Sequence, residues 1–256
     1  MNKNYKEKPY REELFDKYFS SHYSKVIPPT KEGWEWVIER IDINFGDIIS
    51  SLPKNAAILD VGCGVGYLIY YLVKKGFSNI HAIDVSQEQI NVAKDCLRKY
   101  GVDYEGSVKF AVTDAFDFIT DNSGYDVIAM LDILDHFDKE RSFELMKLAF
   151  DSLNSSGIFI SRTTNMNNPL SGQYYYCDFT HESGFTPNSI NQCLNAVGFK
   201  NIQVYYEKIP FSYKEKQSVR RRLKKRLRGL KFNIMAKFLG IGTGAFSENI
   251  MVIARP

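Results

Sequence analysis

Cysteine is scarce in this chain. Four occur in 256 residues, at positions 63, 96, 177 and 193, and no two form a C-x-x-C pair. Such spacing argues against a zinc ribbon or a disulfide framework, and reduced thiols in a cytosol are the expectation. Long apolar runs are missing as well; none approaches the ~20 residues that cross a bilayer. The first stretch, "MNKNYKEKPYREE", is polar and charged, without the apolar centre of a secretion leader. No internal repeat is present, and no low-complexity tract apart from one basic stretch.

What is there is an ordinary globular composition. Hydrophobic residues make up 44%, aromatic 14% and charged 25%, enough for one large α/β domain or two small ones. The net charge of +3 hides an asymmetry. Residues 214–231 hold ten Lys or Arg and one Glu, a local +9, so the remainder carries −6. The main body is mildly acidic and one segment is intensely basic.

Short β-rich runs alternate with helical patterns. "AAILDV" (56–61), "NIHAIDV" (79–85), "VKFAVTD" (108–114), "YDVIAMLDI" (125–133), "IFISRTT" (158–164), "NIQVYYEKI" (201–209) and "SENIMVIAR" (247–255) read as seven strands. Helices are expected over 65–76, 86–101, 139–157 and 186–199. The second opens with Ser86 three residues before Gln89, and Ile90, Val92, Ala93 and Leu97 give it an apolar face. The fourth starts Thr-Pro and stops at Gly198. The alternation predicts an α/β fold with a doubly wound, mostly parallel, Rossmann-like sheet whose last strand is antiparallel. Three parts are expected. They are a helical cap over the ligand site (1–55), the core (56–209 with 246–256) and a basic amphipathic insertion (210–245).

The stretch "ILDVGCGVGYL" (58–68) sets Gly62, Gly64 and Gly66 directly after the first strand. A glycine loop there aims backbone amides and a helix N-terminus at a ligand. The dinucleotide pattern G-x-G-x-x-G is not met, because Tyr67 holds its third glycine position. The spacing from Asp60 is D-x-G-x-G-x-G. A carboxylate at the base of the loop repels a pyrophosphate and attracts a ligand with a cationic amino group and a sulfonium.

"LDVGCGVG" resembles the first motif of class I S-adenosylmethionine (SAM) methyltransferases. "IDVS" around Asp84 is similar to the acidic end of their second strand, and "TDAF" around Asp114 to their adenine-binding loop. The resemblance implies SAM as cofactor. It implies that Asp60 and the backbone of Gly62, Cys63, Gly64 and Gly66 hold the methionine part. Asp84 is expected to accept both ribose hydroxyls, a carboxylate having two oxygens for a vicinal diol. Asp114 is expected to accept the adenine amino group, with Val85, Ala115 and Phe116 on the ring. Leu131 and Tyr23 complete the expected cofactor contacts. Cys63 reads as a small space-filler rather than a nucleophile.

Methyl transfer is an in-line displacement that needs alignment, exclusion of water and often removal of a proton. Three stretches lie beyond the strand ends, where acceptors bind in such sheets. "LDILDHF" brings Asp132, Asp135 and His136 beside the expected methyl group, and His136 is a candidate base. Residues 161–187 form a connection too long for mere chain reversal. There Arg162, Tyr174, Tyr175 and Tyr176 are assigned to the acceptor, and Asp178 with His181 makes a second candidate base. Its "DFTHESGFTP" resembles methyltransferases of bacterial capsule and O-antigen gene clusters, as does the "S-x-H-Y" cluster. In that cluster Tyr18, Phe19, His22 and Tyr23 are expected to form an aromatic helix over the cofactor, with His22 toward the acceptor. Asp132, Asp135 and Asp138 suggest a cation site, but their position after the fourth strand resembles the ordinary subgroup, so no metal is expected.

In the basic stretch Val219, Leu223, Leu227, Leu230 and Ile234 make one apolar stripe on a helix otherwise covered by Arg and Lys. That pattern fits packing on its own domain, an anionic membrane surface touched through 214–238, or nucleic acid. Nucleic acid is the least favoured, because the body is acidic. Together these readings describe a cytosolic SAM-dependent methyltransferase, peripheral at the inner membrane face if the basic helix binds lipid. Its acceptor is a sugar hydroxyl or phosphate-containing group on a nucleotide-activated, lipid-linked or phosphorylated polysaccharide precursor. The alternatives are an RNA methyltransferase using the basic segment and a non-catalytic SAM-binding membrane adaptor.

Overall fold

The computed structural model describes residues 9–24, 30–210, 231, 234–235, 237–238, 240 and 242–256. Helix α1 (Pro9–Asp16) and a wide helical turn (Phe19–Tyr23) precede α2 (Lys31–Ser50). Thr30 caps α2 by accepting from the Gly33 amide. Then come β1 (Ile58–Val61), α3 (Tyr67–Lys74), β2 (Ile80–Asp84), α4 (Gln87–Lys99), β3 (Val108–Val112) and α5 (Ala115–Asp121). They are followed by β4 (Tyr125–Leu131), α6 (Lys139–Ser152), β5 (Leu153–Thr164), α7 (Ser171–Tyr175), α8 (Pro187–Val197), β6 (Lys200–Tyr206) and β7 (Asn249–Arg255).

The strands form one sheet in the order 3-2-1-4-5-7-6, and only β7 runs against its neighbours. This is the expected Rossmann-like architecture. The order reverses between β1 and β4, so a crevice opens beyond their carboxyl ends. Every residue of β1 is buried. Ile58 joins the apolar layer of Trp34, Phe45, Leu68 and Leu97, while Leu59 and Val61 join that of Leu145, Met146, Ile190 and Leu194. A strand covered on both faces reads as a continuous apolar run. Asp60 is the exception in β1, and it is the residue nearest the crevice but one.

Two details depart from the sequence reading. The helix expected over 139–157 stops at Ser152, and 153–157 extend β5 instead. Asn, Ser, Ser and Gly are weak helix formers. Asn154 Nδ2 also donates to the Gly124 carbonyl and to Asp126 Oδ1, at 3.1 and 2.8 Å, which ties this run to β4. The short helix α5 was not expected, and Asp114 caps it. Residues 211–230, which carry nearly all of the basic stretch and much of the expected 210–245 insertion, lie outside the described residues. Among the described residues no helix is long and apolar enough to cross a membrane.

Candidate active site

A cavity of about 390 Å³ occupies the crevice. After Val61 the chain turns through Gly62, Gly64 and Gly66 at φ of 68°, 52° and 86°. Side chains are strained in that region and glycine is not. At Gly62 a Cβ would also come within 2.7 Å of Ile133 Cδ1, so that side chain would have to shift. The cavity touches Gly62, Cys63 and Gly64, while Gly66 caps α3 behind it. Burial pushes the Cys63 thiol up, so it stays protonated.

Three acids stand at three successive strand ends. Asp60 lines the cavity at 2% exposure, and its carboxylate has no hydrogen-bond partner among the described residues. Burial, and then the charge of Asp84, raise its pKa to about 8. Asp84 accepts from the Gly64 amide at 2.9 Å and from the Ser86 amide at 2.8 Å. Burial raises its pKa and those amides pull it back. Asp114 Oδ1 accepts from the amides of Phe116 and Asp117 at 2.8 and 3.3 Å, leaving Oδ2 without a partner among the described residues. Val85, Ala115 and Leu131 also line the cavity. Phe116 does not. Helix α5 turns it into the core, edge-on to Phe137 and under the Arg141 guanidinium, and Phe137 faces the cavity instead.

The opposite end is built from β4, β5 and the 161–187 connection. Three of the four histidines of the chain, His22, His136 and His181, line it. Asp132 leaves β4 at a left-handed φ of 57°. Arg162 grips its carboxylate at two points, one of them Nε to Oδ1 at 2.8 Å. Burial opposes the charge on Asp132, but Arg162 outweighs it and holds the pKa low. Arg162 and Asp132, both expected to meet the acceptor, therefore line the cavity as an ion pair.

His136 and Asp178 are joined. His136 Nδ1 lies 2.8 Å from the Thr180 hydroxyl, which donates onward to Asp178 Oδ1 at 2.7 Å. With that hydroxyl proton committed, His136 carries its proton on Nδ1 and leaves Nε2 as a lone pair. Tyr18 donates to Asp178 Oδ2, and His22 Nε2 stands 3.6 Å from the same oxygen. Burial raises the pKa of Asp178, but the bonds from Tyr18 and Thr180 outweigh it and hold the carboxylate ionised. Burial keeps His136 below its ordinary range, with Asp135 opposing. His181 Nδ1 donates to the Tyr175 carbonyl at 2.7 Å, and its Nε2 is 3.8 Å from Asp135 Oδ2. The two candidate bases thus form a single cluster. Thr180, which links them, was missed. Its amide also bonds Asp178 Oδ1 at 2.8 Å, and that Asp-x-Thr turn was the available signal.

Other expectations separate. Tyr174 lines the cavity, Tyr175 is buried away from it and Tyr176 is 81% exposed. Consecutive residues of a helical turn point about 100° apart, so the three tyrosines cannot form one wall. The Tyr23 side chain lies outside the described residues. Asp138 caps α6 and Asp132 holds Arg162, so Asp132, Asp135 and Asp138 do not converge on one cation. The rings of Phe15 and Tyr18 stand 5.9 and 6.1 Å from that of His136, so α1 and the wide turn cover the histidine end.

Residues 34–204 match a family profile described as a methyltransferase domain. The chain belongs to the methyltransferase-domain family. Its similar relatives include the ubiquinone biosynthesis O-methyltransferase of Rickettsia canadensis, 30% identical over 131 residues, 51% of this chain and 50% of that protein. The ajmaline N-methyltransferase of Rauvolfia serpentina is 29% identical over 107 residues, 41% of this chain and 35% of that one. The chain therefore spans half or less of the length of these relatives. In fold, it is similar to a SAM-dependent methyltransferase from Archaeoglobus fulgidus. That likeness has a TM-score of 0.68 at 20% identity, over 94% of this chain and 100% of the other. It is also similar to the magnesium protoporphyrin IX methyltransferase of Synechocystis PCC 6803, at a TM-score of 0.62 and 13% identity, over 100% and 99% of the two chains. The family match leaves out Tyr18 and His22, so the cover over the histidine end belongs to a part of the chain that the family does not define.

Proposed function

We propose that this methyltransferase-family chain transfers a methyl group from SAM to a small polar acceptor. The observation that carries this reading is Asp60: a buried, unpartnered carboxylate at the base of a glycine loop. An acid in that state favours a cation. Gly62 and Gly64 line the cavity without side chains, which gives the ligand a close approach to backbone. These residues fit the cofactor, which when bound supplies an electrophilic methyl on a sulfonium sulfur.

Asp60 attracts the cationic amino group. Asp84, anchored by two amides, still has oxygen lone pairs for a vicinal diol. Oδ2 of Asp114 accepts an exocyclic amine, and Val85, Ala115 and Leu131 pack beside it. Phe15 and Tyr18 shield the histidine end from water. A hydroxyl acceptor gives up its proton at the cluster of His136, His181 and Asp178.

Family membership does not select the acceptor, since the named relatives act in different chemistries. The cavity volume favours a small molecule. The resemblance of "DFTHESGFTP" to enzymes of capsule and O-antigen clusters supports a sugar hydroxyl or phosphate-containing group on a polysaccharide precursor. Arg162 is committed to Asp132, so a phosphate has to compete with that carboxylate, and a hydroxyl acceptor is the better fit. The test is a screen of nucleotide-sugars and phosphorylated small molecules for S-adenosylhomocysteine release. Turnover only on RNA overturns the small-acceptor reading; tight SAM binding without turnover on any pool favours a binding adaptor. Contact of 214–238 with an anionic membrane rests on the sequence pattern, and flotation with anionic liposomes tests it.

A further inference from the structure

We propose that Asp135, His136 and His181 bind one divalent transition-metal ion of the first row. One ligand atom from each lies within 4.8 Å of the other two. Asp135 is 1% exposed, and its Oδ1 is buried without a hydrogen-bond partner among the described residues. Leaving such an oxygen unsatisfied is costly. Its other oxygen accepts from the Thr164 hydroxyl at 3.2 Å, which fixes the carboxylate. The 3.8 Å between His181 Nε2 and Asp135 Oδ2 is too long for a hydrogen bond, so the pair does not satisfy itself.

Each imidazole is oriented as metal ligands usually are. His136 Nδ1 is tied to Thr180 and His181 Nδ1 to the Tyr175 carbonyl, which leaves both Nε2 lone pairs for the ion. Two imidazole nitrogens and one carboxylate oxygen suit zinc, iron, cobalt or manganese; magnesium and calcium prefer all-oxygen sets. Three protein ligands leave positions open for water or for an acceptor oxygen. This set shares only Asp135 with the acid trio suggested by the sequence, and it replaces the expectation of no metal. With the ion bound, the two histidines are ligands. The ion would supply Lewis acidity that makes a nearby hydroxyl acceptor easier to deprotonate, its proton passing to solvent. That use of the ion rests on the methyl-transfer reading; its binding does not.

The test titrates chelator-stripped, full-length protein with cobalt chloride, followed by visible ligand-field absorption and calorimetry, with zinc competition. One equivalent of cobalt, displaced by zinc and indifferent to excess magnesium, is the expected result. Thr180→Val should weaken binding about tenfold or more through the loss of ring orientation, and His181→Ala should weaken it further. No saturable absorption in the native chain overturns the proposal, as does stoichiometric binding that both variants leave unchanged. If His181→Ala does not fold, Thr180→Val decides. SAM titrations run in parallel separate the two readings. SAM binding without cobalt binding removes only the metal, and cobalt binding without SAM binding removes only the cofactor.

Discussion

The Gly64 amide donates to Asp84 Oδ2 at 2.9 Å, so the glycine loop and the acid that ends β2 form one unit. The Cys63 amide ties the same loop to the Ile83 carbonyl at 2.9 Å. Loss of the Asp84 carboxylate therefore removes a ligand contact and loosens the loop at once. Asp84→Ala should weaken SAM binding by ~100-fold, in line with about 1.5–3 kcal/mol for hydrogen bonds to a charged group. Calorimetry reads it. An unchanged affinity in a folded variant removes the ribose assignment.

Asp60 predicts a pH signature. In the ligand-free chain its pKa is about 8, so the carboxyl is protonated near pH 6.5. A cationic ligand needs the carboxylate, so binding there should release up to one proton, and the release should fade above about pH 8. Affinity should rise with pH over the same window. Calorimetry in buffers of different ionisation enthalpy measures the proton count, and zero protons at pH 6.5 contradicts the assignment. The sign for folding is the reverse. A carboxyl raised on folding costs stability as pH climbs from its unfolded value, ~4, toward 8. Asp60→Asn should thus unfold at higher urea than the native chain at pH 9 while binding SAM far more weakly.

The glycine loop and the strand-end acids were legible because their signals are local. Glycines at alternate positions after an apolar run, and acids at strand ends, survive any detail of packing. Phe116 was misjudged because one turn of α5 decides whether a side chain faces ligand or core, and no apolar period long enough to mark that helix is present. At the histidine end the residue types were legible and their partners were not. Nothing local links His136 to Thr180 across 44 positions. Arg162 and Asp132 were both read as acceptor contacts because each was read alone, and their mutual pairing appears only when β4 and β5 lie side by side.

The His136–Thr180–Asp178 chain predicts graded kinetic losses. Assayed on chelator-stripped protein, His136→Ala and His181→Ala should each lower kcat by ~10²–10⁴, the range for lost proton transfer, with SAM affinity nearly unchanged. Asp178→Asn should cost less, since it acts through Thr180, and it should also release Tyr18 and His22 from their shared carboxylate. Single-turnover rates with the acceptor found in the screen measure this. Losses below about tenfold in both histidine variants take proton removal away from the cluster.

The buried pair of Arg40 and Glu207 predicts the stability of the cavity wall. Arg40 Nε and Nη2 meet the two carboxylate oxygens at 2.9 and 2.6 Å, and Asn249 Nδ2 adds a third bond at 2.9 Å. Arg40 also lies 4.4 Å over the Trp36 ring and lines the cavity, so this contact, beside the Asn44 bonds to Tyr205 and Lys208, clamps α2 against the β6–β7 end of the sheet. Glu207→Ala strands a buried guanidinium and should cost ~3–5 kcal/mol, whereas the apolar double variant Arg40→Met with Glu207→Leu should recover most of that loss. Urea unfolding of the single and double variants gives the coupling energy directly. A single-variant cost near zero means that water reaches the pair, and the clamp on α2 must then come from its apolar face, Trp34, Ile41 and Phe45, and from the Asn44 bonds to Tyr205 and Lys208.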